Sequence, residues 1–200
     1  MKIIVNDQEL LTLSPLHLKI FAHEINSDGL DSDIKRRLKW VLEHEFTNAF
    51  KELKKETVPE LAKAGVSSIP LDEEVFVRTL NKLDKYKNVP MEGEPFVVKV
   101  NNEELLRFTQ PKVNVFTIMV RTDAWRYMRD KLKWVVTHKL DRIVEKMRLE
   151  WEPKLRAAGI TEVPLSPEGF AELVFKQKGY QDRKARDADA LENTPHNFIP

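Results

Sequence analysis

Residues 34–86 can be laid on residues 128–180 at a constant spacing of 94 positions without a gap, and 16 of the 53 aligned positions are identical. Average composition gives roughly three identities by chance. Leu38-Lys39-Trp40-Val41 falls on Leu132-Lys133-Trp134-Val135, and His44 on His138. Pro59 falls on Pro153, Ala64-Gly65 on Ala158-Gly159, Pro70-Leu71 on Pro164-Leu165, Phe76 on Phe170 and Tyr86 on Tyr180. Upstream, Val5-Asn6-Asp7-Gln8-Glu9-Leu10-Leu11 pairs with Val100-Asn101-Asn102-Glu103-Glu104-Leu105-Leu106 at a spacing of 95. An internal repeat constrains a fold strongly, because each copy has to build the same elements and bury the same face. The chain reads as a tandem duplication: repeat unit 1 at residues 1–88, a linker at 89–95, repeat unit 2 at 96–182 and a C-terminal tail at 183–200.

Within each unit, short apolar segments flank Asn6-Asp7-Gln8 and Asn101-Asn102-Glu103. Asn and Asp accept the positive φ of tight turns, so both segments predict β-hairpins. Two such hairpins either join in one four-stranded sheet or lie separately on their own helices, since each is too short to stand alone. Ser14-Pro15 and Thr109-Gln110-Pro111 predict starts of short helices over ~15–25 and ~111–120. Ile34, Leu38, Val41, Phe46, Ala49, Phe50 and Leu53 recur at helical spacing, as do Met128, Leu132, Val135, Ile143, Val144 and Met147. They predict long amphipathic helices over ~32–56 and ~123–151. Pro59 and Pro153 are expected to end or kink them. A short turn of helix then closes on Gly65 or Gly159 as a C-terminal cap. Last helices are predicted over ~73–84 and ~167–177, with Phe76 and Phe170 turned inward. The fold class is mainly α with a minor α+β component: two tandem copies of a β-hairpin plus helical unit, each with one long amphipathic helix.

Composition excludes several functions. With 33 Lys+Arg and 32 Asp+Glu the net charge is +1, far from the strongly basic footprint of a dedicated nucleic-acid binder. The balance hides a drift: residues 1–94 carry 14 basic and 17 acidic side chains, residues 95–200 carry 19 and 15. The absence of cysteine removes disulfides, thiolate metal sites and Cys nucleophiles. The N-terminus has too short an apolar run for a signal peptide. No apolar stretch approaches the ~18 residues of a membrane span, so no membrane partner is expected. The default expectation is an intracellular soluble protein, or one assembled inside a cell.

No motif carries recognisable chemistry. His23-Glu24 and His44-Glu45 begin like a zinc-protease helix, but Ser27 and Asn48 stand where the second histidine belongs. Asp28-Gly29-Leu30-Asp31-Ser32-Asp33 has its glycine misplaced for a calcium loop, so helix capping is the better reading. The six glycines form no phosphate loop, and there is no Gly-x-Ser-x-Gly elbow. No catalytic residue, metal ligand or cofactor is expected, and the chain reads as non-enzymatic. The candidate interaction residues are Trp40 with His44 and Trp134 with His138, each pair sharing a helix face at i,i+4. The plain alternative is that each Trp packs in the core and each His makes one hydrogen bond at its edge. Arg126 and Arg129 lie in a basic stretch that could meet phosphates, although interspersed acids favour a solvated face. Phe198 and Ile199 end an eleven-residue tail without a helical stripe, either loose or an arm that docks on a neighbour.

The second unit adds a resemblance. Val100–Leu106, Lys133-Trp134-Val135-Val136-Thr137-His138-Lys139, Leu149-Glu150-Trp151-Glu152-Pro153-Lys154-Leu155, Gly169–Phe175 and Gly179–Arg183 resemble small proteins of unassigned function encoded in tailed-bacteriophage genomes. Those are single-unit chains, and this one resembles two of them fused. The resemblance covers most of residues 98–187 and, more faintly, 3–86. Unit 1 departs from the pattern, with Thr57 at the Trp151 position and Val75-Phe76-Val77-Arg78 in place of Gly-Phe-Ala-Glu. No functional residue comes with it. What it implies is context: a structural or assembly component of a virion, located in the virion or the host cytoplasm and binding itself or neighbouring virion proteins through helix faces and the C-terminal arm. A regulator contacting nucleic acid or a host protein through the basic helix of unit 2 is the second expectation.

Overall fold

A computed structural model of the chain describes residues 1–24, 29–120 and 123–182. It is mainly helical with one small four-stranded antiparallel sheet. A hairpin, β1 (Lys2–Val5) and β2 (Gln8–Thr12), leads to α1 (Pro15–Glu24), the 34-residue α2 (Leu30–Lys63) and the short α3 (Glu73–Thr79). A second hairpin, β3 (Phe96–Val100) and β4 (Glu103–Phe108), leads to α4 (Gln110–Val120), the 34-residue α5 (Ala124–Ala157) and α6 (Pro167–Phe175).

Both hairpins turn on residues at positive φ: Asn6 at 45° and Asp7 at 61°, Asn101 at 49° and Asn102 at 69°. Two successive positive-φ residues match the twist of the strands they join. The hairpins combine into one sheet in the order β2-β1-β3-β4, through antiparallel β1 and β3. The turn asparagines close that central ladder at both ends. Asn6 Oδ1 accepts from Val97 N at 2.7 Å, and Asn101 Oδ1 accepts from Lys2 N at 2.8 Å. Each asparagine N–H donates back, to Val97 O and Lys2 O respectively. Register irregularities fall at matching places, between Ile3 and Ile4 and between Val98 and Lys99.

The long helices extend past the expected ends. Each runs through its proline, Pro59 or Pro153, for another turn. A proline inside a helix removes one hydrogen bond at a cost of about 3 kcal/mol. The extra turn buries Leu61 and Leu155 almost completely, and this offsets the loss. Gly65 and Gly159, both at φ 81°, then terminate the helices. Val66 N donates to Leu61 O and Gly65 N to Ala62 O; Ile160 and Gly159 repeat the pattern on Leu155 and Arg156. The last helices stop short of expectation: α3 gives way to a 3-10 turn at Leu80–Lys82, and α6 ends at Phe175. Asp72 and Ser166 cap them, accepting from Val75 N and Gly169 N. Val136 rather than Val135 is buried on α5.

By compactness the chain forms two units, Met1–Ser14 with Asn26–His138, and Pro15–Ile25 with Lys139–Pro200. They do not follow the sequence segments 1–88 and 96–182. The first unit holds the sheet and packs α4 against α2 and α3. Its core is aromatic: the Phe46 ring lies 5.5 Å from Phe108 and 6.1 Å from Phe116, and Phe50 meets Phe76 edge-on at 5.4 Å. The second unit packs α1 against α6. There Tyr180 gathers His23, Trp151 and Phe175 within 4.9–5.8 Å between centroids. Arg148 lies 4.2 Å above the Phe170 ring and donates to the Pro164 and Leu165 carbonyls.

Candidate interaction surface

Position on the helix decides what Trp40 does. Leu38 and Leu42 are fully buried on α2, and Trp40 stands two residues from each, about 200° round the helix axis. It is 59% exposed, and Trp134, in the same position on α5, is 54% exposed. The plain expectation that these indoles pack in the core is not met. Each instead covers one face with the imidazole a turn further on: Trp40 on His44 at 4.8 Å and 10°, Trp134 on His138 at 4.7 Å and 11°. Stacks of this kind contribute about 0.5–1.5 kcal/mol. They hold the indoles in place while leaving their outer faces to solvent. Asn48 Nδ2 lies 3.1 Å from His44 Nε2 and fixes that ring further.

Trp40, His44 and Trp134 line one groove of about 540 Å³ within the first unit, together with Val41, Glu45, Tyr127, Asp130 and Lys131. Glu45 ties the two walls together, accepting from Tyr127 Oη and, at 2.7 Å, from Lys131 Nζ. Partial burial acts to raise the Glu45 carboxyl, but Lys131 and Tyr127 outweigh it and hold the group below the usual carboxylate range. The same bonds push Lys131 up, and burial followed by Glu45 pushes Tyr127 up. The floor is therefore ionised, neutral in sum and satisfied. It asks for no charged ligand, whereas the indole faces above it offer apolar area.

The other candidates lie elsewhere. Arg126 is exposed on α5 with Asp130 at 3.9 Å, the edge of ion-pair range. Arg129 is half-buried and donates to Gln8 Oε1 at 3.4 Å. The consecutive basic residues Lys35-Arg36-Arg37 of α2 are matched by acids: Lys35 with Asp31 and Glu103, and Arg36 and Arg37 with the buried Asp33. Burial acts to raise the Asp33 carboxyl, but Arg37 and Arg36 hold it down. Asp31 and Asp33 occupy the first turn of α2 and complement its dipole, while Asp123 caps α5 by accepting from Trp125 N and Arg126 N. Phe198 and Ile199 lie outside the described residues. Sequence reasoning missed Leu71 and Leu165, 93% and 94% exposed at equivalent places just before the caps of α3 and α6. It also missed the groove partners Glu45, Tyr127 and Lys131. Among the described residues no three His, Cys, Asp or Glu side chains are grouped to hold a metal ion. No helix among them is long and apolar enough to cross a membrane. Compared with protein families, curated proteins and solved structures, the chain has no match.

Proposed function

We propose that this chain is a non-enzymatic structural or assembly protein of a tailed-bacteriophage virion, built from two copies of one unit. In this reading it binds copies of itself or neighbouring virion proteins through helix faces, with residues 183–200 as an additional arm. The observation that carries it is the pair of solvent-facing Trp–His stacks at equivalent positions of α2 and α5. Identical large side chains at two exposed sites are not explained by core packing, and they resemble the aromatic anchors of protein interfaces. Leu71 and Leu165 support the same reading. So does the exchange of elements: α4 of the second segment packs on α2 and α3 of the first, and α1 of the first packs on α6 of the second. Two single-unit chains that had swapped arms and then fused would leave this pattern. A nucleic-acid partner has less support, because acids neutralise much of the basic helix surface.

Mass spectrometry of purified phage particles tests the proposal. The chain is expected in the particle at a fixed ratio to the major structural proteins. Its absence from particles, with abundant free protein in the infected cell, would contradict the virion assignment.

A further inference from the structure

We infer that the Trp40/Trp134 groove is covered by the same groove of a second copy of this chain, in a two-fold, face-to-face contact. The inference rests on the reading of these helix faces as contact surfaces and commits it to one occupant. A two-fold contact requires a self-complementary surface, on which residue i meets residue j and j meets i. Equivalent indoles stand on its two walls, so a second copy turned over about an axis along the groove lays α5 of one copy on α2 of the other and indole on indole. The groove is self-complementary in charge as well. Glu45 and Lys131 satisfy each other at 2.7 Å, with Tyr127 on the same carboxylate. Two ionisable lining groups stand outside that network: the imidazole of His44, whose Nε2 has Asn48 Nδ2 at 3.1 Å, and the carboxylate of Asp130, with Arg126 at 3.9 Å. One is a base and the other an acid. Turning a second copy over the groove brings Asp130 of each copy toward His44 of the other. A surface of one sign would repel its own copy, and this one does not. Its lack of net positive charge also argues against a polyanion as occupant. Four indoles then come together, each covered on one face by its own histidine and on the other by the second copy.

Sedimentation equilibrium of the full chain across a wide concentration range tests this. Dimerisation is expected, with either Trp40→Ala or Trp134→Ala weakening it by about 30-fold or more, as for an interface anchor. The indoles are exposed, so both variants should keep the wild-type far-ultraviolet circular dichroism and melt within about 2–4 °C of the wild type. A second pair of variants tests the geometry: Asp130→Lys weakens the dimer, and adding His44→Glu to it restores association. A chain that stays monomeric at every concentration, or a dimer indifferent to both tryptophans, would overturn the inference and leave the groove to another partner. Its failure is distinguishable from failure of the virion reading, because a monomeric chain can still be found in particles and a dimer can be missing from them.

Discussion

Leu38 and Trp40 are neighbours but one in sequence, identical to Leu132 and Trp134 at the aligned positions, and opposite in what they do. Leu38 has no exposed surface, while more than half of Trp40 is open to water. Leu38→Ala therefore opens a cavity and is expected to cost about 2–5 kcal/mol. Trp40→Ala loses a surface stack and is expected to cost under about 1 kcal/mol. Urea unfolding of the two variants checks the contrast, and equal losses would mean that Trp40 is a core residue after all. This distinction was partly legible in the sequence. The stripe at 34, 38, 46 and 50 points to one side of the helix, and Trp40 is off it. An identity on the stripe reflects packing, whereas one off the stripe calls for another cause. The alignment alone does not separate the two, because identities on and off the stripe count alike. Leu71 was harder to recognise, because a leucine after a proline carries no periodic signal showing that it points outward.

At the level of elements, local chemistry was the most readable part. The Asn-Asp and Asn-Asn turns, the caps at Asp72 and Ser166 and the glycine stops at 65 and 159 are each set by one or two residues. The passage of α2 and α5 through their prolines was not readable, since it depends on the burial of Leu61 and Leu155 a turn later. The charge on α1 has a consequence for stability. Burial acts to raise the Glu24 carboxyl, but Lys139 and Lys146 outweigh it and bring the group from the ordinary 4.5 down to about 2. A depressed carboxylate stabilises the fold above its unfolded value, and the contribution fades as pH falls from 4.5 toward 2. Glu24→Gln is expected to be less stable than the wild type at neutral pH, by on the order of 1–2 kcal/mol. The gap should close as pH falls to about 2. Thermal melts across that range check it, and a gap that persists at the acid end would assign the loss to packing rather than charge.

For the molecule as a whole, the aligned sequence segments and the compact units are different divisions of the same chain. The sequence shows where one segment stops resembling the other. It does not show which helix packs on which, because an apolar stripe such as Ile20-Phe21 or Val115-Phe116 fits either long helix equally well. The structure puts α4 on α2 and α3, and α1 on α6. The charged surfaces of the two segments have drifted apart, yet both Trp–His stacks persist. Drift spares what a partner reads, so the account turns on whether those indoles meet another protein. Hydroxyl-radical footprinting of Trp40 and Trp134, in the dilute free chain and in purified particles, measures this directly. The account predicts ready oxidation of both in the free chain and protection of both together in the particle. Equal oxidation of the two indoles in both states would contradict it.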